Sequence, residues 1–360
     1  MITFNPGPSQ LSAETKADLK KAVDLQIAEF SHRSGKFSAF SEKTILGLRK
    51  FFNIPDSYKV FYTSSATDAI QLSIANCCEK KSFHFINGNF SKLFSKVAKG
   101  YYKDVNTDEV ESGQQNDYAN KEIPADTDFI SITHNETSTG VMCNMEDITA
   151  VRQKYPEATL AVDITSSAGA TEIDILEADI WLYSVQKCFG LPSGLGIFIV
   201  SEKAFNKSLE LSEKGVNLGC NFTLANMWKK MEGKYQTLCT PNCLDIYLLG
   251  EVTERWNQKG GLTQNIQDTN EKFDFLNNFF ASTSEITHCV LEEQYRSRTV
   301  LSMAAPESTI TAIHEACKQN EIILGKGFGP LKPTAFRIAN FPALSLADMK
   351  RLTEVIKSAL

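Results

Sequence analysis

The stretch that decides the fold covers residues 180–200 and reads IWLYSVQKCFGLPSGLGIFIV. Its two apolar runs, 180–184 and 195–200, flank a glycine-rich loop, a pattern that predicts two short buried strands. Lys187 follows the first of these strands after only two residues. A lysine at the end of a buried strand is costly unless it is paired or used in chemistry. Lys187 is therefore the first candidate functional residue, and the alternative is an ordinary surface lysine in a turn.

Similar short apolar runs recur upstream, and helical patterns lie between them. An alternation of strands and helices predicts an α/β domain with a largely parallel sheet. Residues 100–124 are polar and lack apolar periodicity, so we expect a loop-rich segment there with at most one short strand. The predicted strands are 59–63, 82–86, 129–133 and 159–163, and the predicted helices are 12–26, 40–52, 68–78, 89–99 and 145–155.

The pattern changes after about residue 238, where long helical stretches replace the alternation. This part of the chain predicts a second, smaller domain of α+β type. The opening residues 5–12, NPGPSQLS, have the composition of a loop. The predicted helices of the second part are 244–258, 261–280, 308–319 and 345–360, and its predicted strands are 290–292, 299–304 and 335–339.

Composition and charge exclude several classes of protein. Lysine and arginine number 37 against 43 acidic residues, and the resulting net charge of −6 argues against a general nucleic-acid binder. No apolar stretch approaches the roughly 20 residues needed to cross a membrane, and the first residues lack the pattern of a signal peptide. The nine cysteines contain no CxxC pair, so we expect reduced thiols in a cytoplasmic protein and no metal site.

Two further segments suggest what Lys187 could do. Asp163 closes the apolar strand 159–163, and a carboxylate in this position can hold the protonated pyridine nitrogen of pyridoxal phosphate. Residues 64–67, SSAT, lie between a strand and a helix, where backbone N–H groups favour an anion such as a phosphate. A desolvated lysine is suited to Schiff-base chemistry with the same cofactor. Asp163 could instead be a turn or capping residue, and residues 64–67 a plain helix cap.

In order and spacing, motifs along about 340 residues resemble the class-V aminotransferases of fold type I, and in particular their phosphoserine aminotransferase branch. Each motif is weak alone, and their collinear order carries the resemblance. It implies a large domain with a mostly parallel seven-stranded sheet over residues 15–245, and a small domain made of residues 1–14 and 246–360. The motifs are FNPGP at 4–8, FSHR at 30–33, IPDSYKVFYTSSAT at 54–67, NET at 135–137, VD at 162–163 with SS at 166–167, QK at 186–187, TP at 240–241, Trp256 with GG at 260–261, and RSR at 296–298.

The resemblance assigns expected roles to individual residues around the cofactor. Lys187 would bind pyridoxal phosphate covalently and move the proton between substrate and cofactor, and Asp163 would pair with the pyridine nitrogen. Phe90 stands where the family usually stacks a tryptophan on the ring, and the alternative is that Phe90 is a core residue. The other implied contacts are Ala66, Thr67 and Gln186 to the phosphate, Thr137 to the cofactor hydroxyl, and Cys239 and Thr240 to the cofactor of a neighbouring subunit, which implies a homodimer with shared active sites.

Substrate recognition is expected from a second set of residues. Arg337 matches the arginine that binds the substrate α-carboxylate, and His32 and Arg33 match contacts to the distal phosphate or carboxylate. Ser9 is also placed at the substrate by this resemblance. His32 and Arg33 could instead be two residues of a solvated loop. Many phosphoserine aminotransferases carry a His-Arg pair upstream of Arg337, but residues 324–332 read LGKGFGPLK, so Lys326 or Lys332 would have to supply the cation.

The expected activity is transamination of 3-phosphohydroxypyruvate with glutamate, giving O-phosphoserine and 2-oxoglutarate for serine biosynthesis. The run GFGPL at 327–331 is similar to alanine–glyoxylate and serine–pyruvate aminotransferases of the same class, which keeps these activities open as alternatives. A non-catalytic protein that binds a phosphorylated metabolite is the alternative from a different class. We expect small-molecule substrates as partners, with neither nucleic acid nor a membrane.

Overall fold

The structure is a computed structural model that describes residues 1–216 and 221–360. Strands and helices alternate along the first two thirds of the chain. The strands are β1 (Ile2–Phe4), β2 (Lys59–Thr63), β3 (Lys81–Ile86), β4 (Asp104–Glu109), β5 (Phe129–Thr133), β6 (Asn135–Glu136), β7 (Val141–Met142), β8 (Thr159–Asp163), β9 (Ile180–Ser184), β10 (Gly196–Val200), β11 (Thr287–His288), β12 (Val300–Ala304), β13 (Ile322–Lys326) and β14 (Ala335–Ala339). The α-helices are α1 (Ala13–Asp24), α2 (Gly35–Phe52), α3 (Ala66–Cys77), α4 (Ser91–Gly100), α5 (Met145–Lys154), α6 (Glu202–Glu213), α7 (Leu224–Met231), α8 (Cys243–Gln258), α9 (Gly261–Ala281), α10 (Glu307–Gln319) and α11 (Leu346–Ala359).

A seven-stranded sheet forms the larger part of the molecule. Its strand order is β2-β10-β9-β8-β5-β3-β4, and only β10 runs antiparallel to its neighbours. Asp163 at the end of β8 pairs with Thr133 on one side and with Leu182 on the other. The carboxyl ends of three strands therefore meet at one edge, which is where ligands bind in such sheets. The predicted α/β class with a mostly parallel seven-stranded sheet is confirmed.

Helices cover both faces of this sheet, which explains why its central strands β5, β8 and β9 are buried and largely apolar, whereas the edge strand β4 is polar. Val162 packs into a core with side chains of α2 and α8, whereas its neighbour Ala161 packs on the opposite face with side chains of α3. Alternate residues of a strand point to opposite faces, so a doubly covered strand has no polar face. This arrangement stabilises the sheet and leaves the strand ends as the place for polar side chains.

A five-stranded sheet forms the smaller part, with the order β1-β13-β14-β12-β11. The first strand of the chain lies parallel to β13, with Ile2 opposite Ile322. Arg337 lies in the middle of β14, opposite Gly325 on one side and Ser302 on the other. The division into residues 15–245 and residues 1–14 with 246–360 stays a prediction.

Most element boundaries agree with the sequence predictions, and the strands 59–63, 129–133, 159–163, 180–184 and 335–339 agree residue for residue. The strand predicted at 290–292 is wrong, because the ladder with β12 covers only Thr287 and His288. Val290 is nevertheless buried, so its apolar character comes from packing in a loop. Strands β1 and β13 and helices α6 and α7 were not predicted, and the segment 100–124 contains the single strand β4.

Two further predictions concern cysteines and membrane segments. Eight cysteines are described and none of these eight is in a disulfide, while the ninth, Cys220, lies outside the described residues. Within residues 1–216 and 221–360, every helix falls short of the length and apolar character that a membrane crossing requires.

Candidate active site

Lys187 lies in the loop that follows β9 and is only 7% exposed. Its Nζ donates a hydrogen bond of 2.6 Å to Thr137 Oγ1 and lies 4.6 Å from the centre of the Phe90 ring. The loop is held from the N-terminal segment, because Ser9 Oγ donates to the Lys187 carbonyl at 2.7 Å and Ser9 N donates to the Gln186 carbonyl at 2.9 Å. The amine is thus fixed between a hydroxyl and an aromatic face, away from bulk water.

Burial and charge act in opposite directions on this amine. Burial lowers the pKa of Lys187, while Asp163 and Glu136 raise it. Burial likewise raises the pKa of the Asp163 carboxyl, against hydrogen bonds and the positive charge of Lys187 that lower it. A lowered lysine pKa increases the fraction of free amine near neutral pH, and a free amine is the form that reacts with a carbonyl.

Asp163 presents one carboxylate oxygen to the site. Its Oδ1 accepts hydrogen bonds from Thr165 N at 2.8 Å and from Thr165 Oγ1 at 2.5 Å. Among the described residues, no hydrogen bond reaches Oδ2. The carboxylate is oriented by Thr165 and keeps one oxygen for a donor such as a protonated ring nitrogen.

The turn before α3 forms the other end of the site. Ser65 caps the helix, and Ala66 N donates a hydrogen bond of 2.6 Å to Ser184 Oγ, so the Ala66 N–H already has a partner in this structure. Thr67 is exposed at the first turn. Gly196 lies against this turn, where a Cβ atom would come within 2.7 Å of the Ser65 carbonyl oxygen. The close approach of β10 therefore requires glycine and fixes the helix N-terminus at the strand ends.

Arg337 reaches the same site from the small sheet. It is 8% exposed, and its Nη1 donates to the Thr137 carbonyl at 2.8 Å while its Nε donates to the Lys326 carbonyl at 2.8 Å. Its guanidinium lies 5.4 Å from the Phe328 ring centre. Burial lowers the pKa of Arg337 to about 10, so the side chain remains a cation at neutral pH. A positive group therefore lies next to Thr137, the residue that also holds Lys187 Nζ.

A second group of predicted residues lies together but apart from Lys187. Arg33 Nη1 donates to the Thr237 carbonyl at 2.6 Å, and its Nη2 donates to the Leu238 carbonyl at 3.1 Å. Cys239 and Thr240 follow directly, are exposed, and line a cavity of about 500 Å³. Within the described parts of the chain, no hydrogen bond or ion pair joins these residues to Lys187.

His32 is the fourth member of this second group. It is half-buried, and burial, with a contribution from the charge of Arg33, lowers its pKa. Both effects favour the neutral imidazole, and a neighbouring anion would favour the charged form.

The remaining predicted substrate contact, Lys326, has an exposed side chain. Its carbonyl, and not its amine, contacts Arg337. Lys332, the alternative cation, is also exposed. In the same stretch Phe328 lies 5.9 Å from the Phe90 ring, so an aromatic side chain stands between Phe90 and Arg337.

Several residues that contribute to the geometry were not predicted. They are polar or aromatic side chains that touch a predicted residue. Glu136, Ser166 and Phe328 lie in motifs quoted from the sequence (NET, SS and GFGPL) but were given no role there, whereas Ser184 was seen only as the last residue of a predicted strand. The four contact, respectively, Phe90 N, Thr137 Oγ1, the Phe90 ring and Ala66 N.

The donor set fits pyridoxal phosphate. A buried amine, a carboxylate with a free oxygen, an aromatic face and a helix N-terminus match the aldehyde, ring nitrogen, ring face and phosphate of this cofactor. Together with the sheet topology, this arrangement defines the class as a pyridoxal phosphate-dependent enzyme of fold type I.

Comparison with known proteins identifies the family. Residues 3–340 match the family described as Aminotransferase class-V, and the chain belongs to this family. It is therefore a pyridoxal phosphate-dependent aminotransferase. A phosphoserine aminotransferase of Rhodococcus opacus (strain B4) is 27% identical over 358 residues, covering 98% of this chain and 93% of the relative. One of Corynebacterium glutamicum (strain R) is 28% identical over 365 residues, covering 98% and 93%.

A solved structure gives a similar result. The crystal structure of a phosphoserine aminotransferase from Cytophaga hutchinsonii superposes with a TM-score of 0.95 at 35% identity, covering 99% of this chain and 98% of that chain. The likeness extends over both sheets and leaves no large part of the chain without a counterpart.

Proposed function

We propose that this aminotransferase interconverts 3-phosphohydroxypyruvate plus glutamate with O-phosphoserine plus 2-oxoglutarate, as a step of serine biosynthesis. The observation that carries the proposal is the likeness to the Cytophaga hutchinsonii phosphoserine aminotransferase, at 35% identity over nearly the whole of both chains. The relatives from Rhodococcus and Corynebacterium, which bear the same name, support it.

The cofactor would be held by the residues at the strand ends. Lys187 would bind it covalently, Asp163 would accept from its ring nitrogen, and Phe90 would lie against the ring. Residues of the turn before α3, Ala66 and Thr67, with Gln186, would hold its phosphate. When bound, pyridoxal phosphate supplies an electron sink that stabilises negative charge at the α-carbon of an amino acid.

Within each half-reaction, Lys187 would move the proton between the substrate carbon and the cofactor carbon. Its Nζ is held at Thr137 Oγ1, and Thr137 Oγ1 in turn donates to Ser166 Oγ at 2.9 Å. Burial favours the unprotonated amine, so Nζ can accept a proton and return it without competition from water. The hydroxyl chain fixes the direction of the lone pair, and this is the contribution of Thr137 and Ser166.

Arg337 would orient the substrate through its α-carboxylate. A guanidinium can bind a carboxylate with two parallel hydrogen bonds, which fixes the substrate in one plane. Nη1 and Nε are already anchored to carbonyls of the protein, so the side chain needs little reordering to bind substrate. The α-hydrogen would then face Lys187 on each turnover.

Cationic side chains of the second subunit would recognise the distal phosphate of the substrate. Arg33 is bonded to the segment that leads into Cys239 and Thr240. If Thr240 reaches a neighbouring subunit's cofactor, as proposed, Arg33 and His32 arrive at the same site with it. This would supply positive charge without the His-Arg pair that residues 324–332 lack, and it makes the proposed homodimer necessary for the activity.

Half-reaction kinetics test the proposal. The purified holoenzyme is mixed in turn with O-phosphoserine, glutamate, serine and alanine, and the change in cofactor absorbance is followed. Fast conversion by phosphoserine and glutamate, with serine and alanine slower by at least two orders of magnitude, is the expected result. Fast conversion by alanine or serine with none by phosphoserine would contradict it and indicate the alanine–glyoxylate or serine–pyruvate activity.

A further inference from the structure

Glu136 is a fully buried carboxylate next to the proposed active site. It lies in β6, one residue before Thr137. Its Oε2 accepts from Phe90 N at 3.0 Å and from Ser91 N at 2.8 Å, the first N–H groups of α4. Its Oε1 accepts from Ser138 N at 3.0 Å and from Ser138 Oγ at 2.6 Å.

These bonds join two loops that carry different parts of the site. Ser138 Oγ also accepts from Asn89 N at 3.1 Å, so the N–H groups of residues 89, 90 and 91 are all bound by Glu136 and Ser138. Gly88 has no room for a side chain, because a Cβ atom there would lie 2.5 Å from Glu136 Cδ. The loop before α4 is thus pressed against the carboxylate, with no freedom for Phe90 to shift alone.

The segment on the other side of Glu136 contacts both proposed functional cations. Thr137 Oγ1 accepts from Lys187 Nζ, and the Thr137 carbonyl accepts from Arg337 Nη1. One short stretch of chain therefore sets the distance between the Phe90 ring, the Lys187 amine and the Arg337 guanidinium. Glu136 is the group that fastens Phe90 to this stretch.

The negative charge of Glu136 also acts electrostatically on Lys187 and Arg337. No cation in the described residues forms an ion pair with it, so the α4 N-terminus stabilises its charge locally. The negative charge raises the pKa of both Lys187 and Arg337. Glu136 thereby opposes part of the effect of burial on the amine.

We infer that Glu136 is a positioning residue of the aminotransferase site: its buried carboxylate fastens the Phe90 loop to the segment that holds Lys187 and Arg337, and its charge tunes the amine. The inference rests on the proposed roles of Lys187 and Phe90. Covalent trapping of the cofactor tests the role of Lys187 separately, so a failure of the proposed function is distinguishable from a failure of the inference about Glu136.

Two substitutions separate geometry from charge. Glu136→Gln keeps the size of the side chain but removes its negative charge. It also replaces one accepting oxygen by an NH₂ group, which cannot accept hydrogen bonds from the N–H donors. Glu136→Asp keeps the charge but is too short to reach both sets of donors. The readouts are the dissociation constant for pyridoxal phosphate and the pH dependence of Lys187 labelling by an amine reagent in the cofactor-free protein, measured by mass spectrometry.

The expected results differ between the variants. Glu136→Gln binds pyridoxal phosphate about tenfold or more weakly, as expected for the loss of charge-assisted bonds, and the labelling curve of Lys187 moves to lower pH. Glu136→Asp also weakens cofactor binding, but its labelling curve stays near that of the wild type. Ser138→Ala, which removes only the bridge to Asn89 and one bond to Glu136, weakens binding several-fold and leaves the labelling curve unchanged.

Asp179→Asn is the matched control. Asp179 is also fully buried, is bonded to Arg152 at 2.8 Å, and lies just before β9 at the end opposite Lys187. The Asp179→Asn substitution should lower the unfolding temperature of the protein while leaving cofactor affinity and Lys187 labelling unchanged. The inference is overturned if Glu136→Gln behaves in the same way. If Glu136→Gln does not fold, an unchanged cofactor affinity in Ser138→Ala and Glu136→Asp would overturn it.

Discussion

At the scale of single residues, the site depends on charged groups whose burial is compensated one by one. Asp163 is oriented by Thr165, Lys187 by Thr137, and Arg337 by two carbonyl groups. A buried charge without such partners costs several kcal/mol, so each group is held in one position. This preorganisation leaves the amine, one carboxylate oxygen and the remaining guanidinium donors for ligands.

The guanidinium of Arg337 provides the first prediction. In Arg337→Lys, the ammonium cannot bond the Lys326 and Thr137 carbonyls and a carboxylate at once in a planar fork. We expect kcat/KM for both amino-acid substrates to fall about ten- to a hundredfold, corresponding to about 1.5–3 kcal/mol, while cofactor affinity stays the same. Steady-state kinetics and cofactor titration measure the two quantities.

Arg255→Lys serves as the control, because Arg255 pairs with Asp18 at 2.7 Å and contacts none of the proposed site residues. It should leave kcat/KM unchanged. Equal losses in both variants, or a loss of cofactor affinity in Arg337→Lys, would argue against a carboxylate-binding role for Arg337.

Single residues also show how far sequence reasoning reaches. Lys187 and Asp163 stand at the ends of apolar strands, so their positions follow from the strand pattern. The contacts of Glu136 and Phe328 link residues far apart in the chain, 46 positions apart for Glu136 and Phe90. No local pattern encodes such a pairing, which only the folded chain creates.

At the scale of elements, strands that are buried on both faces could be predicted from their apolar runs. The strand prediction was wrong where an apolar residue is buried in a loop and takes no part in strand pairing. The strands 159–163 and 180–184 have uninterrupted apolar runs ending in polar residues. Val290 is apolar for another reason, since it is buried in a loop that follows the two-residue ladder of Thr287 and His288. Strand β13 has two exposed positions and contains a glycine, unlike the fully buried strands of the same length, so its pattern indicated a strand too weakly.

Helix α9 contains a buried lysine that links it to the loop after β14. Lys272 is 4% exposed, and its Nζ donates to the carbonyls of Phe341 at 3.0 Å and Leu344 at 2.9 Å. Burial lowers the pKa of Lys272 from 10.5 to about 8. Because this pKa is lower in the folded state, the unfolded chain binds more protons between pH 8 and 10.5, and the stability contributed by Lys272 rises with pH in that window.

Comparison with Lys272→Met isolates this effect. The free energy of unfolding of the wild type minus that of the variant should increase by up to about 3 kcal/mol from pH 8 to 10.5. Chemical denaturation at several pH values measures the difference, in which other titrating groups cancel. A difference that is flat, or that decreases with pH, would show that Lys272 is not held below its ordinary pKa.

At the scale of the whole molecule, the predicted residues fall into two groups that no hydrogen bond or ion pair joins within the described residues of one subunit, although Thr240 lines a cavity together with Ser64 of the turn before α3. Lys187, Asp163 and Arg337 form one group, and Arg33 with Thr240 forms the other. A homodimer in which each site takes one group from each subunit would unite them. This reasoning supports the proposed dimer and makes the second group a test of it.

Complementation between two inactive variants tests the shared site. Lys187→Ala and Arg33→Ala are mixed under conditions that exchange subunits. A mixed dimer then has one site with an intact Lys187 and, from the other subunit, an intact Arg33. Random pairing predicts recovery to roughly a quarter of wild-type activity. Activity no greater than that of the separate variants, with mixed dimers demonstrated by native mass spectrometry, would contradict a shared site.

The central claim is that Lys187 carries pyridoxal phosphate at the carboxyl edge of the seven-stranded sheet. Borohydride reduction of the yellow holoenzyme, followed by digestion and mass spectrometry, measures this directly. We expect one cofactor-derived modification per chain, on the peptide containing Lys187, and no modification in Lys187→Ala even though that variant still binds the cofactor. Modification of a different lysine, or a colourless protein that takes up no pyridoxal phosphate, would contradict it.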